Sequence, residues 1–188
     1  MVPAQTALGV ALVVQSEASL QQEGVHWLQV AAQSGDPNAH YALGKLLLIG
    51  SPDLAQSYPD ARTHFESAAS HGDTRAAYYL GVMDQAGYGA PVDHAAAARY
   101  FELAAHGGIA DAMFLLANAY RAGDGVPRDD VRALRLYESA AEREYPAAIQ
   151  ALANAYHNGE LGLPKDEAKS QEQRMELEES IRHPSLPP

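Results

Sequence analysis

A short string of residues recurs along this chain at a nearly fixed interval, and that recurrence limits the fold more than any other feature. Ala31-Ala32-Gln33-Ser34-Gly35 returns as Ala68-Ala69-Ser70-His71-Gly72 and again as Ala104-Ala105-His106-Gly107-Gly108. A fourth copy, Ala140-Ala141-Glu142-Arg143-Glu144, has lost its glycine. The steps are 37, 36 and 36 residues. A second string follows each copy: Ala39-x-x-Ala42-Leu43-Gly44, Ala76-x-x-Tyr79-Leu80-Gly81, Ala112-x-x-Leu115-Leu116-Ala117 and Ala148-x-x-Ala151-Leu152-Ala153, after a first occurrence at Ala4-x-x-Ala7-Leu8-Gly9. Self-similarity at such a period marks stacked supersecondary units, each too small to bury its apolar face alone.

Each unit reads as two helices. In the second helix Ala61, Phe65 and Ala68 fall at i, i+4 and i+7, on one face. Gly24/Leu28/Ala31, Ala97/Phe101/Ala104 and Ala133/Tyr137/Ala140 occupy the same positions. One bulky residue between two small ones is a knob that neighbouring backbones can approach closely. In the first helix the column Gly9, Gly44, Gly81, Ala117, Ala153 is always small. A helical Gly costs about 1 kcal/mol relative to Ala, so its presence predicts a crossing helix at that level.

Punctuation agrees. Asp36-Pro37 reads as an N-cap followed by Pro in the first turn, and Asp73, Asp93, Asp129 and Asp166 fit the capping role. Gly87-Tyr88-Gly89-Ala90-Pro91, Gly123-Asp124-Gly125-Val126-Pro127 and residues 159–164 stop the first helix and turn the chain. The pattern predicts helices over 4–15, 19–33, 37–49, 59–71, 74–86, 93–106, 110–121, 129–143, 146–157 and 166–181.

With these motifs in place, Ala-x-x-x-Leu-Gly-x-x-Tyr-x-x-Gly-x-Gly-Val-x-x-Asp followed by Ala-x-x-x-Tyr/Phe-x-x-Ala-Ala-x-x-Gly resembles the Sel-one-like repeat family, an α/α solenoid related to tetratricopeptide repeats. The best match runs from Ala112 through Gly123-Asp124-Gly125-Val126 and Asp129 to Ala140-Ala141, and the resemblance covers roughly residues 4–165. Residues 50–58 replace the Gly-x-Gly-Val turn, and residues 13–18 lack it. The resemblance implies an all-α, right-handed superhelical solenoid of about five helix-turn-helix repeats, near 4–35, 36–72, 73–108, 109–144 and 145–182. It also implies a scaffold that binds proteins or peptides, often in bacterial envelope, secretion or signalling systems. A single solenoid over 1–182 is expected, with a disordered tail at 183–188.

The ends carry readings of their own. Residues 1–14 are apolar but hold no Lys or Arg, the first basic residue being Lys45. A secretory signal wants a positive start, and this stretch keeps the repeat register, so it reads as a helix. Cleavage of the stretch, or an added initiator Met, are the alternatives. A cytoplasmic location is expected, or a periplasmic one if a native signal lies outside this sequence. No apolar run reaches the roughly 18 residues of a membrane span. Residues 165–182 read as a polar closing helix for the stack, or alternatively as an acidic docking arm.

Charge and motif content exclude several functions. Lys plus Arg total 13 against 24 Asp plus Glu, a formal charge of −11, which leaves no basic excess for phosphates or anionic lipid. With no cysteine, thiolate zinc sites and Cys nucleophiles are excluded. Phosphate-loop, His-Glu-x-x-His, Gly-x-Ser-x-Gly and Ser-x-x-Lys motifs are missing. Gly87-x-Gly89 and Gly123-x-Gly125 end helices instead of following a strand. His71 and His106 occur near the ends of successive second helices, where the dipole favours His and no further ligands converge. Asp124, Asp129 and Asp130 lack the regular spacing and terminal Glu of a calcium loop, and capping is the better explanation. No cofactor or metal is expected.

In solenoids of this type the first helices line the inner curve. Projection from the Leu-Gly anchor gives four ladders there: Asn38/Arg75/Asp111, Tyr41/Tyr78/Phe114/Gln150, Lys45/Val82/Asn118/Asn154 and Leu48/Gln85/Arg121/His157. Aromatic rings supply contact area, and an amide satisfies a peptide donor and acceptor together. Tyr41, Lys45, Tyr78, Gln85, Phe114, Asn118, Arg121, Gln150, Asn154 and His157 are therefore the expected partner contacts. Ordinary inter-repeat packing is the competing role for Tyr41, Tyr78 and Phe114. The expected function is a non-enzymatic scaffold or adaptor binding another protein or peptide, without nucleic acid or membrane insertion and with a monomer favoured. The alternative is a bacterial toxin-immunity or secretion-adaptor protein whose acidic surface masks a basic partner. A cell-wall or β-lactam-binding enzyme, suggested only by claims attached to some relatives, lacks a nucleophile with a neighbouring base.

Overall fold

The Asp36 carboxylate accepts the backbone N–H of Asn38 at 3.0 Å, with Pro37 opening the helix behind it. Asp73 does the same for Arg75 and Ala76, Asp129 for Arg132 and Asp166 for Lys169. Each of these caps satisfies a donor that the first turn leaves orphaned. The computed structural model describes residues 2–50 and 54–182. Among them are ten helices and no β-strand: α1 Val2–Val13, α2 Ala18–Gln33, α3 Pro37–Ile49, α4 Tyr58–Ser70, α5 Thr74–Ala86, α6 His94–His106, α7 Ala110–Ala122, α8 Asp130–Ala141, α9 Pro146–Asn158 and α10 Glu167–Arg182. Every predicted helix is present, with ends shifted by at most about two residues. The fold is an all-α solenoid of helix hairpins. The tail at 183–188 and part of the irregular stretch at 50–58, residues 51–53, lie outside the described residues.

Backbone contacts divide the chain into two units, one ending at Asp93 and one starting at His94. In the first, α1 pairs with α2 and α3 with α4, while α2 and α4 lean on α3 and α5. In the second, α7 pairs with α8 and α9 with α10, while α6 and α8 lean on α7 and α9. The apolar start of the chain is thus a helix seated on its neighbour. No helix among the described residues is long and apolar enough to cross a membrane.

The knobs form the core. Leu28, Phe65, Phe101 and Tyr137 are buried, as are the small residues on either side of each, Gly24 and Ala31 around Leu28 and alanines around the others. Each such side chain contributes about 1.5–3 kcal/mol through removal from water. The small column of the first helices has the cause inferred from sequence. A Cβ added to Gly44 would stand 2.7 Å from the Phe65 ring, so glycine lets α4 approach.

A polar ladder ties the first helices together in the amino-terminal unit. The Thr6 hydroxyl of α1 donates to Asp36, which caps α3. Asn38 on α3 accepts from the Arg75 guanidinium on α5, and Arg75 is gripped by both oxygens of Asp73. Arg62 on α4 meets Asp84 on α5, an ion pair with little exposure on either side chain. That pair joins the same two helices that Phe65 and Tyr79 link by stacked rings 5.0 Å apart.

Candidate functional site

In the first unit the first helices frame a groove of about 440 Å³. Val10 and Val13 of α1, with Val14 just past its end, form one wall. Ala42, Leu46 and Ile49 of α3 form the other. Val10, Val13 and Val14 fall at i, i+3 and i+4, one helical stripe. Val14 is 76% exposed and Ile49 is 72% exposed, so the aliphatic surface faces solvent.

The polar rim comes from Asn38, Tyr41, Lys45 and Arg75. Arg75 lies over the Tyr41 ring at 4.2 Å and the Lys45 ammonium at 5.8 Å from its centroid. Behind it, Tyr41 sits 6.0 Å from Tyr79 and 6.3 Å from Phe65, ring to ring. Burial, reinforced by Tyr79, pushes the Tyr41 phenol up to about 12, so it stays a neutral donor at physiological pH. Burial alone would raise Asp73, but the hydrogen bonds from Arg75 and Ala76 outweigh it and hold the carboxyl below its ordinary value. Arg75 is raised in turn, chiefly by its bond to Asp73. The guanidinium charge is therefore balanced on the spot. Lys45 has no carboxylate partner among the described residues.

The remaining predicted contacts have varied surroundings. Tyr78 is half-buried with its ring edge on Tyr79, and Gln85 is exposed on α5. In the second unit Phe114 packs on Tyr137 and Tyr145 at 5.7 and 5.5 Å. Asn118 receives the Tyr137 hydroxyl at 2.6 Å, which engages its carbonyl within the repeat. Gln150 donates to the Asn154 carbonyl at 3.0 Å, and both side chains are exposed on α9. Arg121 is exposed, and His157 contacts Glu167 at 2.7 Å. Asn38 and Arg75, placed in one ladder from sequence, do meet, at 2.8 Å.

The repeat itself decides the family. Sel1 repeats match residues 2–36, 37–73, 74–109, 110–145 and 146–172. The chain belongs to the Sel1 repeat family. Sel1 repeat proteins are generally interaction scaffolds without catalytic function. A solved Sel1 repeat protein from Oxalobacter formigenes is 28% identical with a TM-score of 0.78, over 94% of this chain and 70% of its own length. The protective antigen c5321 of uropathogenic Escherichia coli, which displays an SLR fold, is 26% identical with a TM-score of 0.87, over 96% of this chain but only 38% of its own. The immunity protein Pa5087 from Pseudomonas aeruginosa shares the fold at 16% identity and a TM-score of 0.50, covering 98% of this chain and 84% of that one. No curated protein matches the chain.

Two features of this Sel1 repeat chain escaped the sequence reading. The valine wall extends the Lys45 and Leu48 columns back into α1, whereas the sequence-based ladders begin at α3; its i, i+3, i+4 spacing is the signal that marks it. His40 of α3 and His64 of α4 approach with Nδ1 atoms 2.9 Å apart. Their separation of 24 residues follows no repeat column, so only the packed hairpin brings them together.

Proposed function

We propose that this Sel1 repeat chain is a non-enzymatic scaffold that binds a protein or peptide segment on the face formed by its first helices. The observation that carries the reading is the α1–α3 groove, where solvent-facing Val14 and Ile49 stand beside the polar rim of Tyr41 and Lys45. Apolar surface left open next to hydrogen-bonding groups suits a partner's side chains and backbone together. In the second unit, Arg121, Gln150 and Asn154 leave polar side chains exposed on the corresponding helices, in support of the same use.

The test is loss of a captured partner on substitution of the groove. A protein retained by the purified chain is expected to be lost with Val14→Asp combined with Ile49→Asp, at unchanged melting temperature. Val131→Asp, an exposed site on α8, serves as the control that keeps it. Equal retention by both variants rejects the groove as the contact.

A second reading follows from the charge of −11: an immunity or secretion-adaptor role in which the acidic surface meets a basic toxin or effector. The fold shared with an immunity protein is compatible with it. Such association is expected to weaken as salt rises, since exposed charges are screened beyond about 8 Å at physiological ionic strength. Salt-insensitive binding to the captured partner would count against this role.

A further inference from the structure

The groove between α1 and α3 couples two chemistries at short range. Its walls are aliphatic, from Val13 and Val14 across to Leu46 and Ile49. Its rim carries Lys45, whose ammonium faces the Tyr41 ring and no carboxylate among the described residues. Lys165 and Lys169 likewise have no ion-pair partner among the described residues, but both are exposed, whereas Lys45 is half-buried. The nearby carboxylates are already committed: Asp36 to Thr6 and Asn38, Asp73 to Arg75 and its own helix. Asn38 gives its carbonyl to Arg75, and its amide N–H donors have no partner among the described residues. Donors without an acceptor thus border apolar walls without a filling.

We propose that this groove receives the carboxy-terminal end of a partner chain, an aliphatic last side chain lying between the valine wall and Ile49 and the terminal carboxylate resting on Lys45 and Asn38. The proposal rests on the docking reading above and names its occupant. The chemistry favours a chain end over an internal acidic residue. At a chain end the carboxylate is bonded to the same carbon as the last side chain, so one residue supplies both the charge and the apolar filling. An internal Asp or Glu carries its charge at the tip of its own side chain, and a different residue must then fill the groove. The two acceptor oxygens of the carboxylate can take donors from Lys45 and Asn38, which both line the groove. The local positive site on an acidic surface lets a partner be neutral or basic elsewhere and still place its one terminal charge here.

The experiment uses fluorescein-labelled hexapeptides with four randomised residues, then Ser, then Val, Leu or Ile, prepared as free acids and as C-terminal amides. Binding to the whole chain is read by fluorescence anisotropy. The free acids are expected to bind, and amidation is expected to weaken them about tenfold or more, the loss of a charge-assisted hydrogen bond. Lys45→Met is expected to remove the difference between acid and amide at unchanged melting temperature, and Lys45→Arg to restore it. Equal binding of acid and amide overturns the terminal carboxylate while leaving the apolar groove as a docking site. Equal or tighter binding by a parallel amidated set with Glu in place of the Ser also overturns it. So does the absence of binding by both forms. The docking reading is judged separately, by whether Val14→Asp with Ile49→Asp releases the captured partner.

Discussion

His40 and His64 face each other across the α3–α4 hairpin with their Nδ1 atoms 2.9 Å apart. One ring must donate and the other accept, so the contact exists only while at least one imidazole is neutral. Burial lowers both pKa values. At His40 the Ala32 carbonyl works against burial, and at His64 the charge of His40 adds to it. His71 and Asp36 also act on His40, and Asp60 on His64.

The unfolded chain takes up these protons near the ordinary 6.5, the folded chain only at lower pH. The contribution of the pair is therefore fully present above about pH 6.5 and is lost as pH falls through the lowered folded values. Each group adds a slope of at most about 1.4 kcal/mol per pH unit. Urea unfolding at pH 7.5, 6.5 and 5.5 is expected to show a steeper fall for the native chain than for His64→Gln. Parallel curves for the two proteins would refute the pair as the source.

Gly44→Ala is expected to destabilise the chain although Ala is the better helix former. The new methyl meets the buried Phe65 ring at 2.7 Å, and overpacking of this kind costs about 1–3 kcal/mol. The propensity gain of about 1 kcal/mol offsets only part. Phe65→Leu introduced into the Gly44→Ala background is expected to cost less than in the native chain, read from denaturant midpoints. A Gly44→Ala chain more stable than the parent would contradict the crossing.

Glu144 occupies the place where Gly35, Gly72 and Gly108 end the second helices of the earlier repeats. All three glycines have φ between 82° and 86°, and Glu144 is held at 56°. A side chain in the left-handed region is disfavoured by about 1–2 kcal/mol, whereas glycine enters it freely at some entropic cost in the unfolded chain. Glu144→Gly is expected to stabilise by about 0.5–1 kcal/mol, seen as a higher melting temperature. Gly72→Glu should move it the other way. A fall with Glu144→Gly would mean that the carboxylate has an unrecognised role.

Asn118 and Asn154 share a sequence column but not a fate. The first holds the hydroxyl of the buried Tyr137, the second lies exposed beside Gln150. Asn118→Ala leaves a buried hydroxyl without its acceptor and is expected to cost about 1–3 kcal/mol. Asn154→Ala is expected to stay within about 0.5 kcal/mol of the parent. Adding Tyr137→Phe to Asn118→Ala should recover part of the loss. Equal stability of the two alanine variants would detach Asn118 from the packing of Tyr137.

The fold was legible because the repeat writes the same physical demand several times. A small residue at Gly44, a knob at Phe65 and a cap at Asp36 each recur at one interval, and repetition separates signal from composition. The site was less legible. Tyr41 and Asn118 stand in columns that could serve either a partner or the next helix, and sequence spacing is the same for both. Asn118 proved to bond within its own repeat because Tyr137 puts a hydroxyl where Leu28, Phe65 and Phe101 put carbon. Val10 and Val13 of α1 fall in the columns of Lys45 and Leu48, yet those columns change from aliphatic to polar along the chain, so no shared chemistry marked the valines as a wall.

The two oxygens of Asp36 have separate duties. Oδ1 holds the Asn38 N–H of its own helix, and Oδ2 takes the Thr6 hydroxyl of the preceding hairpin. Peeling α1 and α2 away therefore breaks the second bond while the first survives. Opening of the α1–α2 hairpin leaves the Asp36 cap of α3 in place. Amide protons of residues 18–33 should then exchange by a lower-energy opening than those of residues 37–49, giving this hairpin a breathing motion of its own.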